Sequence, residues 1–416
     1  MNLILTNSTL RNLVLGNLFS SVGRGMVLIG ISWYLVEDNG TAAPLGITML
    51  LSTALMILVG PYLGTYIDRF SRKKILLLEN IFGFLMLTSF SVWGFAGGEY
   101  SSLILTLIYT VSMLVSQVHF PTQSALVQET FESGDYNKIN SMLEVQNQIA
   151  QVVAGGFAGI ILLYFNLQFV LLITSGTYLV AFLMISLMKY QFTLGNLKDR
   201  KNKIWYKDFI DGIRFMKTKK GFLIFGISVF IPFIVLMVSN LLAPAFVNLE
   251  LKEPVSVFST GELTYAIGAV AAGLLVNFIL KRVKRFNFLI VTISFFSLSL
   301  ILMVLIMKGW AFIVIYFIMG WSVASTRLIS QTIFMTIIPK QLMGRVMSSL
   351  DLLALVIRVI LIATFSLSID LIGAGVGYII LSCLLLGGAL GVSISVKHLL
   401  LEVNTQNNVS YTKFTS

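Results

Sequence analysis

The chain has 416 residues, of which 57% are hydrophobic and only 11% are charged, and its mean hydropathy is +0.90. This composition excludes a water-soluble globular protein, because a soluble fold of this length cannot cover so many apolar side chains. The formal net charge is +11. The basic residues lie between apolar blocks and share no face with aromatic residues, so we expect no nucleic-acid partner.

Apolar blocks long enough to cross a bilayer recur twelve times. A helical span needs roughly 20 mostly apolar residues. Spans one to six are predicted at residues 11–36, 45–67, 75–97, 102–124, 141–163 and 167–188, and spans seven to twelve at 221–247, 261–280, 286–307, 311–334, 346–368 and 374–396. The predicted fold class is therefore an all-α membrane protein.

A basic stretch at residues 189–220 divides the spans into two sets of six. The predicted domains are an N-terminal six-helix bundle (1–188), this linker, a C-terminal six-helix bundle (221–396) and a polar tail (397–416). Within the linker, Trp205 to Met216 alternates apolar and charged residues at helical spacing. That pattern predicts a helix on the inner membrane surface.

Alternate loops between the spans differ in charge. One set is basic, with residues 69–74 after span two and 281–285 after span eight. The other set is acidic and contains Glu37, Asp38, Glu99, Glu250, Glu253 and Glu262. The positive-inside rule then predicts both termini in the cytoplasm, and the expected location is the plasma (inner) membrane, with multiple passes.

The loop after span two carries the most specific motif in the chain. From Gly60 to Lys74 it reads GPYLGTYIDRFSRKK. This segment resembles motif A of the major facilitator superfamily, in which glycines precede an Asp-Arg pair and a basic pair follows. Other stretches resemble the macrolide-efflux-like, drug:proton antiporter branch of that family: Phe120-Pro121, Gly155 to Gly159, and Gly344 to Ser348.

The resemblance implies two six-helix bundles that transport by alternating access. It assigns Asp68 a docking role near the cytoplasmic end of span eleven when the inner gate is shut, with Arg69 and Arg72 bracing the same contact. Gly60, Gly64, Gly344 and Arg345 complete the predicted gating motif. The alternative is that these residues set only topology and the loop turn.

Ionisable residues inside the spans are candidate functional groups, because an unpaired charge at membrane depth costs several kcal/mol. Six are recognised: Arg24, His119, Glu144, Arg327, Asp351 and Arg358. They lie in polar stripes with amides at helical spacing, and such stripes cannot face lipid. We therefore expect a central polar cavity between the two bundles, near the membrane midplane.

The predicted substrate-binding residues share these stripes; they are Arg24, His119, Asn147, Gln151, Arg327, Gln331 and Arg358. Three arginines against two carboxylates favour a substrate with an acidic group, because Arg suits carboxylate and phosphate. Glu144 and Asp351 are the candidate proton carriers, with a gating role equally open. The alternatives are that the arginines pair structurally with the carboxylates and that His119 is only a hydrogen-bonding residue.

The leading hypothesis is export of a small molecule, such as a drug, antibiotic or siderophore-like metabolite. Proton-coupled antiport is implied by the resemblance. No GxxxxGK phosphate loop occurs, so ATP is not expected as the direct energy source. We expect no enzyme, cofactor or metal, since Cys383 is the single cysteine and no catalytic motif is found. The expected partners are the substrate, protons and membrane lipid, and the expected state is a monomer. A lipid flippase and a non-transporting receptor or assembly subunit stay open as alternatives.

Overall fold

The structure is a computed structural model that describes residues 7–132, 135–190, 205–219, 221–339 and 342–412. Side chains at 61–66, 68–69, 137, 141, 205–209, 277, 344 and 397–412 are not described. The linker segment 191–204, the last four residues of the predicted tail, and the side-chain surroundings of Gly64, Asp68, Arg69 and Gly344 therefore lie outside the described part.

Six long helices form the N-terminal bundle: α1 (Ser8–Asn39), α2 (Ala43–Arg69), α3 (Arg72–Phe95), α4 (Ser102–Thr130), α5 (Tyr136–Tyr164) and α6 (Leu167–Ser186). The linker contributes α7 (Trp205–Thr218). The C-terminal bundle contains α8 (Phe222–Ala245, then a π-helical turn to Glu250), α9 (Val255–Ile279), α10 (Arg285–Ile306), α11 (Gly309–Ile337), α12 (Met343–Ile372) and α13 (Ala374–Thr412).

Twelve of these helices are long and apolar enough to cross a membrane. The all-α fold with two six-helix bundles is therefore confirmed for the described residues. Helix α7 is also helical as predicted. The last helix, α13, continues to Thr412, past residue 396, where the sequence places the start of the tail.

The spans begin earlier than hydropathy predicts. Helix α5 begins at Tyr136 and α9 at Val255, whereas the predicted starts are 141 and 261. The first turns of these helices contain polar residues, which lower the hydropathy of a sequence window without preventing helix formation. The loop assignments of four acidic residues are corrected: Glu262 lies inside α9, Glu37 and Asp38 lie in the last turn of α1, and Glu250 ends the π-helical turn after α8.

Polar side chains and glycine mark several helix ends. The Asn7 side chain accepts hydrogen bonds from the backbone N–H groups of Thr9 (3.0 Å) and Leu10 (3.1 Å) and caps α1. Ser71 and Ser101 cap α3 and α4 in the same way. Gly40 ends α1 with φ 63°, a left-handed conformation that glycine adopts without strain.

Each bundle is held by packing among its own helices. In the N-terminal bundle α1 packs on α5 and α6, and α3 packs on α6. In the C-terminal bundle α9 packs on α11, and α13 packs on α8 and α10. The two bundles contact each other mainly through α5 with α9 and α2 with α12.

We define the basic end of the molecule by the loops at 70–71, 131–135, 280–284 and 338–342; the opposite end carries the loops at 40–42, 96–101, 251–254 and 307–308. The bundles meet closely at the opposite end. The rings of Trp33 on α1 and Phe258 on α9 stack with centroids 5.8 Å apart, and a Cβ on Gly46 of α2 would overlap Ser366 of α12. These contacts seal the two bundles together there.

Glycines on α5 bring the bundles into close contact along their length. A Cβ on Gly159 would overlap the Ser259 side chain of α9, and one on Gly155 would lie 3.0 Å from the backbone nitrogen of Leu263. Small residues permit such an approach between membrane helices, and packing then stabilises it.

Candidate functional site: polar side chains between the bundles

Glu144 on α5 and Arg327 on α11 face each other across the two bundles. An Arg327 Nη1 atom lies 3.9 Å from a Glu144 carboxylate oxygen, although these side chains are 69% and 51% exposed. Charged side chains within membrane spans face the bundle interior or a water-filled space and not lipid, so the exposure of this pair indicates that solvent reaches it between the bundles. The space between α5 and α11 is therefore accessible to water, and we call it the wet gap.

Amides continue this polar surface on both helices. Gln148 donates a hydrogen bond to Glu144 (3.1 Å). Gln151 on α5 and Gln331 on α11 are exposed. Gln151 lies two turns from Glu144 on α5 and Gln331 one turn from Arg327 on α11, so helical spacing places each amide on the same face of its helix as the charged residue.

Arg24 on α1 lies at the edge of this surface. The residue is only 5% exposed. Its guanidinium donates to Ser21 (2.8 Å) and Ser20 (3.4 Å) on its own helix and lies 5.7 Å from the centre of the Phe120 ring. The Ser21 hydroxyl in turn donates to Asn147 of α5 (3.4 Å). Asn147 therefore links Arg24 to the α5 polar stripe.

His119 on α4 is directed at α3 within the N-terminal bundle. It is fully buried, and its Nδ1 atom contacts a carboxylate oxygen of Glu79, which is 8% exposed. The sequence predicts His119 as a substrate-binding residue; in the structure its ring lies against α3, at Glu79.

Sequence reasoning missed Glu79. The residue follows the apolar run Ile75 to Leu78 and precedes Asn80 within predicted span three, and the membrane-depth criterion that selected the other six residues applies to it equally.

Helix α12 carries the remaining predicted charges. Asp351 is exposed and Arg358 is half-buried. Arg358 lies within electrostatic range of Tyr109 on α4, so it acts across the two bundles. Its Nε atom is buried and has no hydrogen-bond partner in the described part of the chain.

The described residues of the predicted gating motif contact residues of neighbouring helices. Arg72 at the start of α3 pairs with Glu129 at the end of α4 (2.8 Å), and Glu129 also accepts a hydrogen bond from Tyr190. Burial, followed by that hydrogen bond, raises the pKa of Tyr190, so its hydroxyl stays protonated and donates. Gly60 on α2 packs over Gln117 of α4, where a Cβ would lie 3.2 Å from Nε2.

Arg345 at the start of α12 pairs with Asp211 of α7 (2.9 Å). Gly212 of the same short helix lies so close to α12 that a Cβ would meet the backbone of Arg345 at 2.6 Å and would overlap the Ser349 hydroxyl. Helix α7 is thereby anchored to the first turns of α12 at the basic end.

Comparison with known proteins identifies the family. The sequence model of the Major Facilitator Superfamily matches residues 13–362, which is most of the chain. The chain belongs to the major facilitator superfamily. It is therefore a multi-pass membrane transporter and not an enzyme.

Two relatives agree with the branch that the motifs resemble. Macrolide efflux protein A of Streptococcus pyogenes is 21% identical over 362 residues, covering 84% of this chain and 87% of the relative. The putative bacilysin exporter BacE of Bacillus subtilis (strain 168) is 27% identical over 158 residues, covering 38% of each chain. The predicted likeness to the macrolide-efflux branch is confirmed at this low identity.

The solved structures agree on the fold. A bacterial homologue of the iron transporter ferroportin, crystallised in an inward-facing state, superimposes with a TM-score of 0.69 at 14% identity, covering 94% of this chain and 98% of that one. At this identity the likeness shows the major facilitator fold alone.

Proposed function

We propose that this transporter exports an amphipathic small molecule across the plasma membrane by alternating access, in exchange for protons. The observation that carries the proposal is the Glu144–Arg327 pair: two opposite charges from different bundles, at 3.9 Å, still largely exposed. A transporter of this superfamily binds its substrate between the bundles, and this is where the chain holds wet polar groups.

The contacts between the bundles support a state with one side closed. They are tight at the opposite end, through Trp33–Phe258 and Gly46–Ser366, while the α5–α11 gap is wet. Because basic loops are retained inside the cell, we assign the basic end to the cytoplasm. An exporter in this state is able to load its substrate from the cytoplasm.

Glu79 changes the expected substrate. The preference for an acidic group rested on three arginines against two carboxylates within the spans, and two further carboxylates now join the count: Glu79, which is 8% exposed, and Glu262 inside α9. The surplus positive charge disappears. We therefore propose a neutral, zwitterionic or amine-bearing amphiphile, the general class to which antibiotics such as macrolides belong. The names of the two efflux relatives favour the same class and give no support to a flippase or a receptor.

Everted membrane vesicles test this function. We expect vesicles that contain the wild-type protein to accumulate radiolabelled erythromycin when respiration acidifies their interior, and to lose that accumulation on addition of a protonophore. Arg327→Ala and Glu144→Gln should each lower the initial rate about tenfold. Accumulation that is indifferent to the protonophore would contradict proton coupling. If neither erythromycin nor a panel of other amphipathic antibiotics accumulates, the export function itself is wrong.

A further inference from the structure

The N-terminal bundle contains a buried cluster of ionisable groups that the wet gap does not include. Glu79 of α3 and His119 of α4 form its centre. Arg24 of α1 lies within electrostatic range of both His119 and Tyr178 of α6. Glu79 also lies within electrostatic range of Tyr178. Four helices of one bundle therefore contribute one group each.

Close packing isolates this cluster from lipid. Tyr178 is 3% exposed, and its ring lies against Gly83, one turn beyond Glu79, where a Cβ would lie 3.0 Å from the ring. The same ring approaches Gly23, next to Arg24, where a Cβ would lie 3.3 Å from it. Gly23 on α1 and Gly83 on α3 thus leave space for the Tyr178 ring of α6, which covers the cluster.

The pair has unused hydrogen-bonding capacity in spite of its burial. His119 Nε2 and Glu79 Oε2 are both buried without a hydrogen-bond partner among the described residues. Buried polar atoms are normally satisfied, so these two atoms are available to bind a proton, a water molecule or a substrate group. Glu79 also lies seven residues, or about 10 Å, along α3 from its first residue, Arg72.

We propose that the Glu79–His119 pair binds the proton that drives transport. This inference rests on the proposed function and assigns its proton site to the interior of the N-terminal bundle, where neither Glu144 nor Asp351 lies. A carboxylate beside an imidazole stabilises the protonated ring, and histidine is the side chain whose charge changes near neutral pH.

The proton balance at the pair is simple. In the proton-free form the neutral imidazole donates its Nδ1–H to Glu79, and the Nε2 lone pair is available. A proton taken from water adds to Nε2, the Nδ1–H bond to Glu79 is retained, and no other bond breaks. Arg24, Glu79 and neutral His119 together carry no net charge, so the loaded cluster carries one positive charge.

Arg24 connects this charge to the substrate surface. It lies between the cluster and the Ser21–Asn147 contact, and therefore responds to both. An extra positive charge beside Arg24 opposes the binding of an amine-bearing substrate nearby. Proton and substrate then exclude each other, as exchange requires.

Histidine NMR tests proton binding without any substrate. The chain has two histidines, so the His398→Gln variant labelled with ¹⁵N-histidine reports on His119 alone. We expect its ring nitrogens to titrate as the pH is varied, and Glu79→Gln to lower the midpoint by at least about one pH unit, since an opposite charge shifts a pKa by roughly 1–3 units. A ring signal that does not change with pH, or a midpoint unaffected by Glu79→Gln, would overturn the proposal.

Transport assays separate coupling from substrate binding. With erythromycin in proteoliposomes, Glu79→Gln and His119→Gln should lose uphill accumulation more than tenfold, while exchange between equal erythromycin concentrations on both sides stays within twofold of wild type. Retained exchange also shows that the variants fold. Glu99→Gln, which removes an exposed loop carboxylate, is the matched control and should retain both activities.

The outcomes distinguish the two proposals. If erythromycin accumulation depends on the pH gradient in both the wild type and Glu79→Gln, the proposed proton site is wrong, but proton-coupled export stands. A wild type whose accumulation ignores the gradient overturns proton-coupled export together with this assignment. Loss of exchange and accumulation together in Glu79→Gln, with a wild-type elution profile, would show a role in binding and contradict the inference.

Discussion

The Asp370 carboxylate at the end of α12 accepts hydrogen bonds from the backbone N–H groups of Ala42 (2.8 Å) and Ala43 (3.3 Å) at the start of α2. The first N–H groups of a helix lack partners within the helix and carry partial positive charge. An acid from the C-terminal bundle thus caps a helix of the N-terminal bundle. This contact holds the opposite end shut, and it must break whenever that end opens.

We predict that Asp370→Ala opens the opposite end more often. Loss of a helix cap costs about 1 kcal/mol, which corresponds to roughly a fivefold shift in a two-state equilibrium. Ser366 is buried in the seal at 4% exposure. In a Cys383→Ser background, Ser366→Cys should therefore react about five times faster with an external, membrane-impermeant maleimide when Asp370 is replaced. Thr41→Cys in the exposed loop is the control and should react at the same rate with and without the Asp370 replacement. If Ser366→Cys also reacts at the same rate in both, the Asp370 contact does not hold this end shut.

Close approach between α5 and α9 should be essential for transport. We expect Gly159→Leu to reduce erythromycin export at least tenfold, because its side chain would occupy the space of Ser259. Gly176→Leu on α6 is the matched control, since a Cβ there meets no atom within 4 Å, and it should stay within twofold of wild type. Vesicle uptake at equal expression measures both. Normal export by Gly159→Leu would show that the bundles do not need this contact.

The Glu144–Arg327 pair should matter for transport and hardly for stability. Exposed ion pairs contribute at most about 1 kcal/mol, and these side chains are 51% and 69% exposed. Glu144→Gln and Arg327→Gln should therefore leave the melting temperature nearly unchanged while lowering export. The charge swap Glu144→Arg with Arg327→Glu distinguishes a structural ion pair from side chains that contact the substrate. Restored export in the swap would favour structural pairing; continued loss is expected if either charge contacts the substrate.

Helix α7 should detach from α12 when its ion pair is removed. Arg345 and Asp211 lie 2.9 Å apart with side chains about 40% exposed, so Arg345→Ala should weaken a local contact without unfolding the bundle. Hydrogen exchange measures this. We expect faster exchange in residues 205–219 of the variant and unchanged exchange in α10; protection of α7 equal to wild type would mean that the Gly212 packing alone anchors it.

The sequence predicted the fold well because hydropathy is a local property. Each span contains enough apolar residues to be recognised by itself, and the stripes with Glu144 and Arg327 were found from helical spacing. The early starts of α5 and α9 were missed because polar first turns lower the average of a window. Helix formation there depends on backbone hydrogen bonding, which hydropathy does not measure.

The missed parts of the site are pairings between distant residues. Glu79 and His119 are 40 positions apart, and Asp370 caps a helix that begins 328 positions earlier. No periodicity in one segment identifies a partner in another. Glu79 was nevertheless detectable as an isolated acid in an apolar span, and its recognition would have removed the charge surplus from which an acidic substrate was inferred.

Distances between the two bundles test alternating access most directly. We propose spin labels, in a Cys383→Ser background, at Thr41 and Leu371 for the opposite end and at Gln128 and Thr336 for the basic end, all of which are exposed. Double electron–electron resonance should show two populations whose distances change in opposite directions, with pH and erythromycin shifting the balance. Distances at both ends that stay fixed under all these conditions, or that increase together, would contradict the account.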